Sequence, residues 1–146
     1  VGYRKIIMSP SPTDTLTVKD IVFTHGEIFK VVDDFYNRIQ RDPVLQVPFQ
    51  SVHDWPEHID RITHFWWIRM GGQPYQFSEY NPVPKHYFAG FNQELLKRWL
   101  GIFNDTLKDN LKPSQAVLWL LIAETIGRTL TAKNDIFEQM QKNKVE

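Results

Sequence analysis

The feature that most limits this chain is an apolar stripe with a helical period. Ile28, Val31, Val32, Phe35, Tyr36 and Ile39 recur at steps of three and four, which puts them on one face of a helix and off the alternating pattern of a strand. Pro43 ends that helix. The same period returns twice. Asp54-Trp55-Pro56-Glu57 reads as a helix start, with Asp54 as cap, Pro in the first turn and Glu57 at the capping-box spacing. His58, Ile62, Phe65 and Trp66 follow, within roughly a third of the helix circumference, and Gly71-Gly72 closes the segment. Asn92 caps a third stripe of Leu96, Trp99, Leu100, Phe103 and Leu107. Pro113 opens a fourth helix that is apolar from Val117 to Ile126.

Between the second and third helices, Pro74, Pro82 and Pro84 rule out a long helix, so His86 falls on a loop or a short helical turn. Residues 1–17 are turn-rich and non-periodic around Ser9-Pro10-Ser11-Pro12 and are expected to be a tail, with helical patterning from Val18 onward. The expected organisation is that tail followed by a single all-α domain over residues 18–146. At 146 residues the chain is long enough to bury its own core.

Composition then removes whole classes of chemistry. There is no cysteine, which excludes disulfides, thiolate metal sites, iron–sulfur clusters, cysteine nucleophiles and a thioether-linked haem. Seventeen basic and seventeen acidic residues give a formal charge of zero, with no basic field for nucleic acid or an anionic membrane. The longest apolar run, Ala116 to Ala123, falls well short of the ~20 residues of a membrane span. No leader pattern is visible at the start, so a cytoplasmic location is expected. Motifs for mononucleotides, dinucleotides, serine hydrolases and zinc proteases are missing.

The five histidines lack metal-site spacing, but His58 lies on an aromatic helix face. Tyr36 and Trp99 each put a polar tip on an apolar stripe, where it needs a partner. These tips either satisfy one another in a core or converge on a small polar ligand in an apolar pocket. His86, taken alone, reads as a surface histidine.

The ordered series Phe35-Tyr36, Asp42-Pro43-x-Leu45, Pro48-Phe49, Asp54-Trp55-x-x-His58, Phe65-Trp66, Lys85-His86 and Arg98-Trp99-Leu100-x-x-Phe103 resembles the group III truncated haemoglobins, over roughly residues 18 to 131. The resemblance implies a two-over-two globin-like helical sandwich and a non-covalent haem b with His86 as proximal iron ligand. Tyr36, His58 and Trp99 would be the distal groups. Phe35, Phe49, Ile62 and Trp66 would line the haem, and Lys85 and Arg98 are candidates for its propionates. The distal histidine beside Trp99 favours group III over group II. The stretch from Gln76 to Val83 is longer and more aromatic than the family pattern before the proximal histidine. The family implies binding of oxygen, nitric oxide or carbon monoxide, and nitric oxide detoxification or peroxidase-like turnover fed by an unidentified reductase. A gas or redox sensor acting through a partner, and a haem-free helical interaction domain, are the alternatives.

Overall fold

The computed structural model describes residues 9–76 and 92–145. The first element among the described residues is a β-hairpin, where a tail and then a helix are expected. Strands β1 (Thr15–Val18) and β2 (Ile21–Thr24) pair antiparallel, with Leu16 opposite Phe23 and Val18 opposite Ile21. The turn residues Lys19 and Asp20 both have positive φ, 46° and 67°, as a two-residue primed turn requires. Thr, Val and Ile suit a pleated, half-buried surface, and the alternation from Leu16 to Phe23 is that of a strand. Leu16 and Phe23 point inward and are buried. The helical reading from Val18 is therefore corrected: the first helix starts seven residues later (25 − 18).

Helix α1 (His25–Arg41) starts there because Thr24 and Glu27 form a full capping box. Thr24 Oγ1 accepts from the Glu27 N–H at 3.0 Å, and Glu27 Oε1 accepts from the Thr24 N–H at 2.9 Å. Its buried residues are the six of the expected stripe. Asp42 ends it, and one carboxylate oxygen then organises the turn. Oδ1 accepts the Val44 and Leu45 N–H groups at 3.0 and 2.9 Å and Arg98 Nε at 2.8 Å, which fixes Leu45 in the core.

A short 3-10 turn (Val47–Phe49) leads to α2 (Trp55–Arg69). Asp54 caps α2 by accepting the Glu57 N–H, as expected, while the Glu57 carboxylate turns along the helix to Arg61. Gly71, at φ 105°, takes the left-handed conformation that ends it. Asn92 accepts the Leu95 N–H and starts α3 (Gln93–Asn110), and α4 (Pro113–Val145) completes the described chain.

Helix α1 packs against both α2 and α3, α3 packs on α4, and β2 lies against α1 and α4. One buried amide ties three of these elements together. Gln115 Nε2 donates to the Val22 carbonyl at 2.9 Å and to Glu27 Oε2 at 3.1 Å, and its Oε1 accepts the Lys112 N–H at 3.1 Å. The core they enclose is strongly aromatic, with Trp119, Phe23, Phe35 and Phe103 its largest fully buried side chains.

Two outcomes follow from these polar ties. Gln115→Ala leaves a carbonyl, a carboxylate oxygen and an N–H without their partner, so denaturant unfolding should show a loss of about 1–3 kcal/mol; an unchanged midpoint would remove Gln115 from this role. The Arg98 hydrogen bond, and then the two backbone N–H groups, hold the Asp42 carboxyl below its ordinary value of 3.8 against the opposing effect of burial. A depressed acid contributes stability above its unfolded value and loses it as pH falls through its folded one. Asp42→Asn should therefore melt below the parent at neutral pH, with the gap closing only below about pH 3.8, as thermal unfolding across pH would show.

Candidate functional site

Two consecutive residues of α1 divide the aromatic interior. Successive helical positions point about 100° apart, so Phe35 faces α3 while Tyr36 faces the start of α2. Phe35 meets Trp99 and Phe103 edge-on, with ring centroids 4.9 and 5.0 Å away. Trp99 and Phe103, one helical turn apart, stack at 4.8 Å, and Phe103 stacks in turn on Trp66 at 5.9 Å. Trp119 closes this group from α4, 5.6 Å from both Trp66 and Phe103.

Tyr36, only 6% exposed, forms the second group with His58, Phe49 and Trp55. The His58 imidazole stands edge-on to Tyr36 at 5.2 Å and to Trp55 at 5.5 Å, with Phe49 at 6.2 Å. The two groups meet at Phe35 and Tyr36, whose own rings are 5.1 Å apart. Of the residues singled out in the sequence, Tyr36, His58 and Phe49 thus share one cluster, and Phe35, Trp99 and Trp66 the other. Ile62 is buried on the same helix as His58 and Trp66. The polar tips here are a hydroxyl, an imidazole and an indole, all able to donate a hydrogen bond while uncharged. That donor set, set among flat rings, fits a planar apolar cofactor carrying a small polar ligand.

Arg98 lies apart from this interior. It is exposed and forms an ion pair with Asp42. Lys85 and His86 lie outside the described residues.

Trp55 and Phe103 belong to the site although the sequence reading gave them no role in it. Trp55 belongs to the helix start by its neighbours, yet its spacing of three from His58 puts both on one face. Phe103 belongs to the apolar stripe, and its spacing of four from Trp99 is what allows the rings to stack. A separate polar-aromatic group, His25, His64, Trp67 and Tyr75, was also missed. The Tyr75 hydroxyl and His25 Nε2 share a hydrogen bond of 2.9 Å. His64, buried on α2, accepts the Tyr75 and Gln76 N–H groups at Nε2, at 3.1 and 3.3 Å. Only the fold brings His25 to Tyr75, fifty positions away. Burial, and then the Asp60 charge, push the Tyr75 phenol up to about 12; burial lowers His25 against the opposing pull of Asp14 and Asp60.

Comparison with known proteins agrees with this architecture. The sequence model of the bacterial-like globin family matches residues 17–125, a span that starts within β1 and holds β2, α1 to α3 and the first turns of α4. Among solved structures, the group III truncated haemoglobin from Campylobacter jejuni has a similar fold, with a TM-score of 0.68 at 22% sequence identity. That likeness covers 80% of this chain and 94% of the other. No curated protein sequence is significantly similar. A helical chain with this match over most of its length belongs to the bacterial-like globin family, and it is a haem-binding globin with a truncated-globin fold.

Proposed function

We propose that this globin holds haem b without covalent attachment, with His86 as the proximal iron ligand, and uses Tyr36, His58 and Trp99 to retain oxygen or another diatomic gas. The observation that carries the reading is the Tyr36–His58 contact: a phenol 6% exposed meets an imidazole edge-on at 5.2 Å, inside walls made of Phe49 and Trp55. Phe35, Phe49, Ile62 and Trp66 would line the cofactor. The absence of cysteine supports the b type, since a thioether attachment has nothing to form on.

Haem iron, when bound, supplies the centre at which a diatomic gas is held and exchanges electrons. The protein's part would be to donate hydrogen bonds to a ligand carrying partial negative charge. In a site that excludes water, a donor is already oriented and costs no reorganisation. Each bond contributes about 1–1.5 kcal/mol, roughly tenfold in affinity. Tyr36 and Trp99 are the principal donors, with His58 as gate or third donor. Asp42 engages Arg98 as an ion pair on the surface, so Arg98 would have to exchange partners to meet a propionate. Lys85 would meet the other.

Several donors around one ligand favour retention over delivery, which suits reaction better than transport. The activity that follows is nitric oxide conversion to nitrate or peroxide-dependent oxidation, with electrons supplied by a separate reductase. Soret absorption of the haem-loaded protein beside a His86→Ala variant tests the cofactor. A strong band that shifts with carbon monoxide in the parent, and weakens or changes character in the variant, is the expected result; a chain that refuses haem would end this reading. Stopped-flow oxygen release tests the donors: Tyr36→Phe should release oxygen about tenfold faster, and an unchanged rate would take Tyr36 out of the mechanism.

A further inference from the structure

We propose that Tyr75 and His25 form a proton-coupled redox pair, through which an oxidising equivalent leaves the aromatic core for the groove beside β1. The inference rests on the proposed peroxide chemistry for its oxidant, which is hydrogen peroxide.

Three observations carry it. The first is a run of rings in contact. From Trp99, stacking continues through Phe103 to Trp66. Trp66 and Trp67 are consecutive on α2 and so point about 100° apart, Trp66 to the rings of Phe103 and Trp119 and Trp67 to His25 at 5.1 Å. His25 in turn meets Tyr75 at 5.5 Å between ring centroids. Apart from the backbone step between the two indoles, every gap is a ring contact.

The second is the hydrogen bond at the end of the run. Losing an electron makes a phenol a strong acid, so oxidation is easy only where a base already sits at the hydroxyl. His25 Nε2 is there at 2.9 Å. Burial keeps the imidazole neutral and the phenol protonated, which is the starting state such a transfer needs. The carboxylates of Asp14 and Asp60 act in the opposite sense on His25 and stabilise the imidazolium once formed. His64 holds the tyrosine in register through the Tyr75 N–H, with the two rings 4.5 Å apart.

The third is access. Tyr75 and Trp67 line a surface groove of about 840 Å³, together with Leu16, Thr17, Gly72 and Pro74. Gly72 is required there, because a Cβ at that position would lie 2.3 Å from Trp67 Nε1. Its lining sets the Trp67 and Tyr75 rings beside the polar side chains of Ser11, Asp14 and Gln73, which offers a surface for the ring and partners for the hydroxyl of a small phenol.

Hydrogen peroxide takes two electrons and two protons and leaves as two waters. For each electron, Tyr75 sends one electron along the rings and its phenolic proton to His25 Nε2, becoming a neutral phenoxyl radical. A phenol in the groove returns a hydrogen atom to Tyr75 and departs as its own radical. His25 releases its proton to solvent and so supplies one of those consumed by peroxide.

The test freezes the haem-loaded protein within milliseconds of mixing with hydrogen peroxide and records its electron paramagnetic resonance. A tyrosyl signal in the parent that is lost in Tyr75→Phe is the expected result; an undiminished signal in Tyr75→Phe overturns the proposal. A second arm oxidises the same full chain, with or without haem, by flash-generated ruthenium(III) tris-bipyridine. Radical formation at Tyr75 should be slower in heavy water, and His25→Gln, which keeps an acceptor but removes the base, should slow it and abolish the isotope effect. Equal rates in both solvents and in His25→Gln overturn the redox role and leave a structural tie. Failure to bind haem would end the functional reading alone, with the flash arm still deciding the pair. A flash radical without a peroxide radical overturns the route from the core while haem binding stands.

Discussion

Everything in this fold depends on α1 being buried on two sides at once. A helix on the edge of a domain needs one apolar stripe about a hundred degrees wide. Here the stripe is widened by placing Phe35 and Tyr36 side by side, so that one helix serves α3 and the start of α2 together. The phenol of Tyr36 is what makes this width useful. An all-hydrocarbon stripe would bury equally well, but it would give the site no donor from this helix. The aromatic interior is therefore core and candidate site in one body of side chains.

Polar groups set the angles at which these faces meet. Thr24 and Glu27 start α1, and Glu27 uses its second oxygen to accept from Gln115 of α4. Asp42 stops α1, orients the following turn and reaches Arg98 of α3. Arg38 and Asn110 both meet Asp34, which adds another tie between α1 and the end of α3. Each end of α1 is fixed by a carboxylate that also contacts a distant helix. Hydrophobic burial supplies the driving force but is non-directional; these contacts choose one packing among the many that would bury similar area.

Most of the helical frame was legible because it is written in local chemistry. Period, caps and prolines predicted α1 to α4, and Asp54, Asn92 and Pro113 act at the positions the sequence assigned them. The hairpin was missed because its turn, Lys19-Asp20, lacks the Asn-Gly or Asp-Gly signal that marks such turns. Its strands are also short enough to pass for the approach to a helix. The Glu27–Gln115 and Tyr75–His25 contacts were out of reach for another reason: they join residues far apart in sequence, and no local pattern records a partner found only on folding. Arg98 shows the converse. Its charge and position suggested a cofactor contact, while its bond to Asp42 depends on where α3 comes to rest.

The buried amide of Gln115 has a consequence for how the molecule comes apart. A hairpin of two four-residue strands is marginal by itself in water, and it would ordinarily be the first element to open. Here its Val22 carbonyl shares one side chain with the cap of α1 and the first turn of α4. Releasing the hairpin breaks the bond to Val22 and uncovers Leu16 and Phe23, so its opening free energy is raised toward that of the helices. The smallest element of the fold is thereby enrolled in its largest cooperative unit.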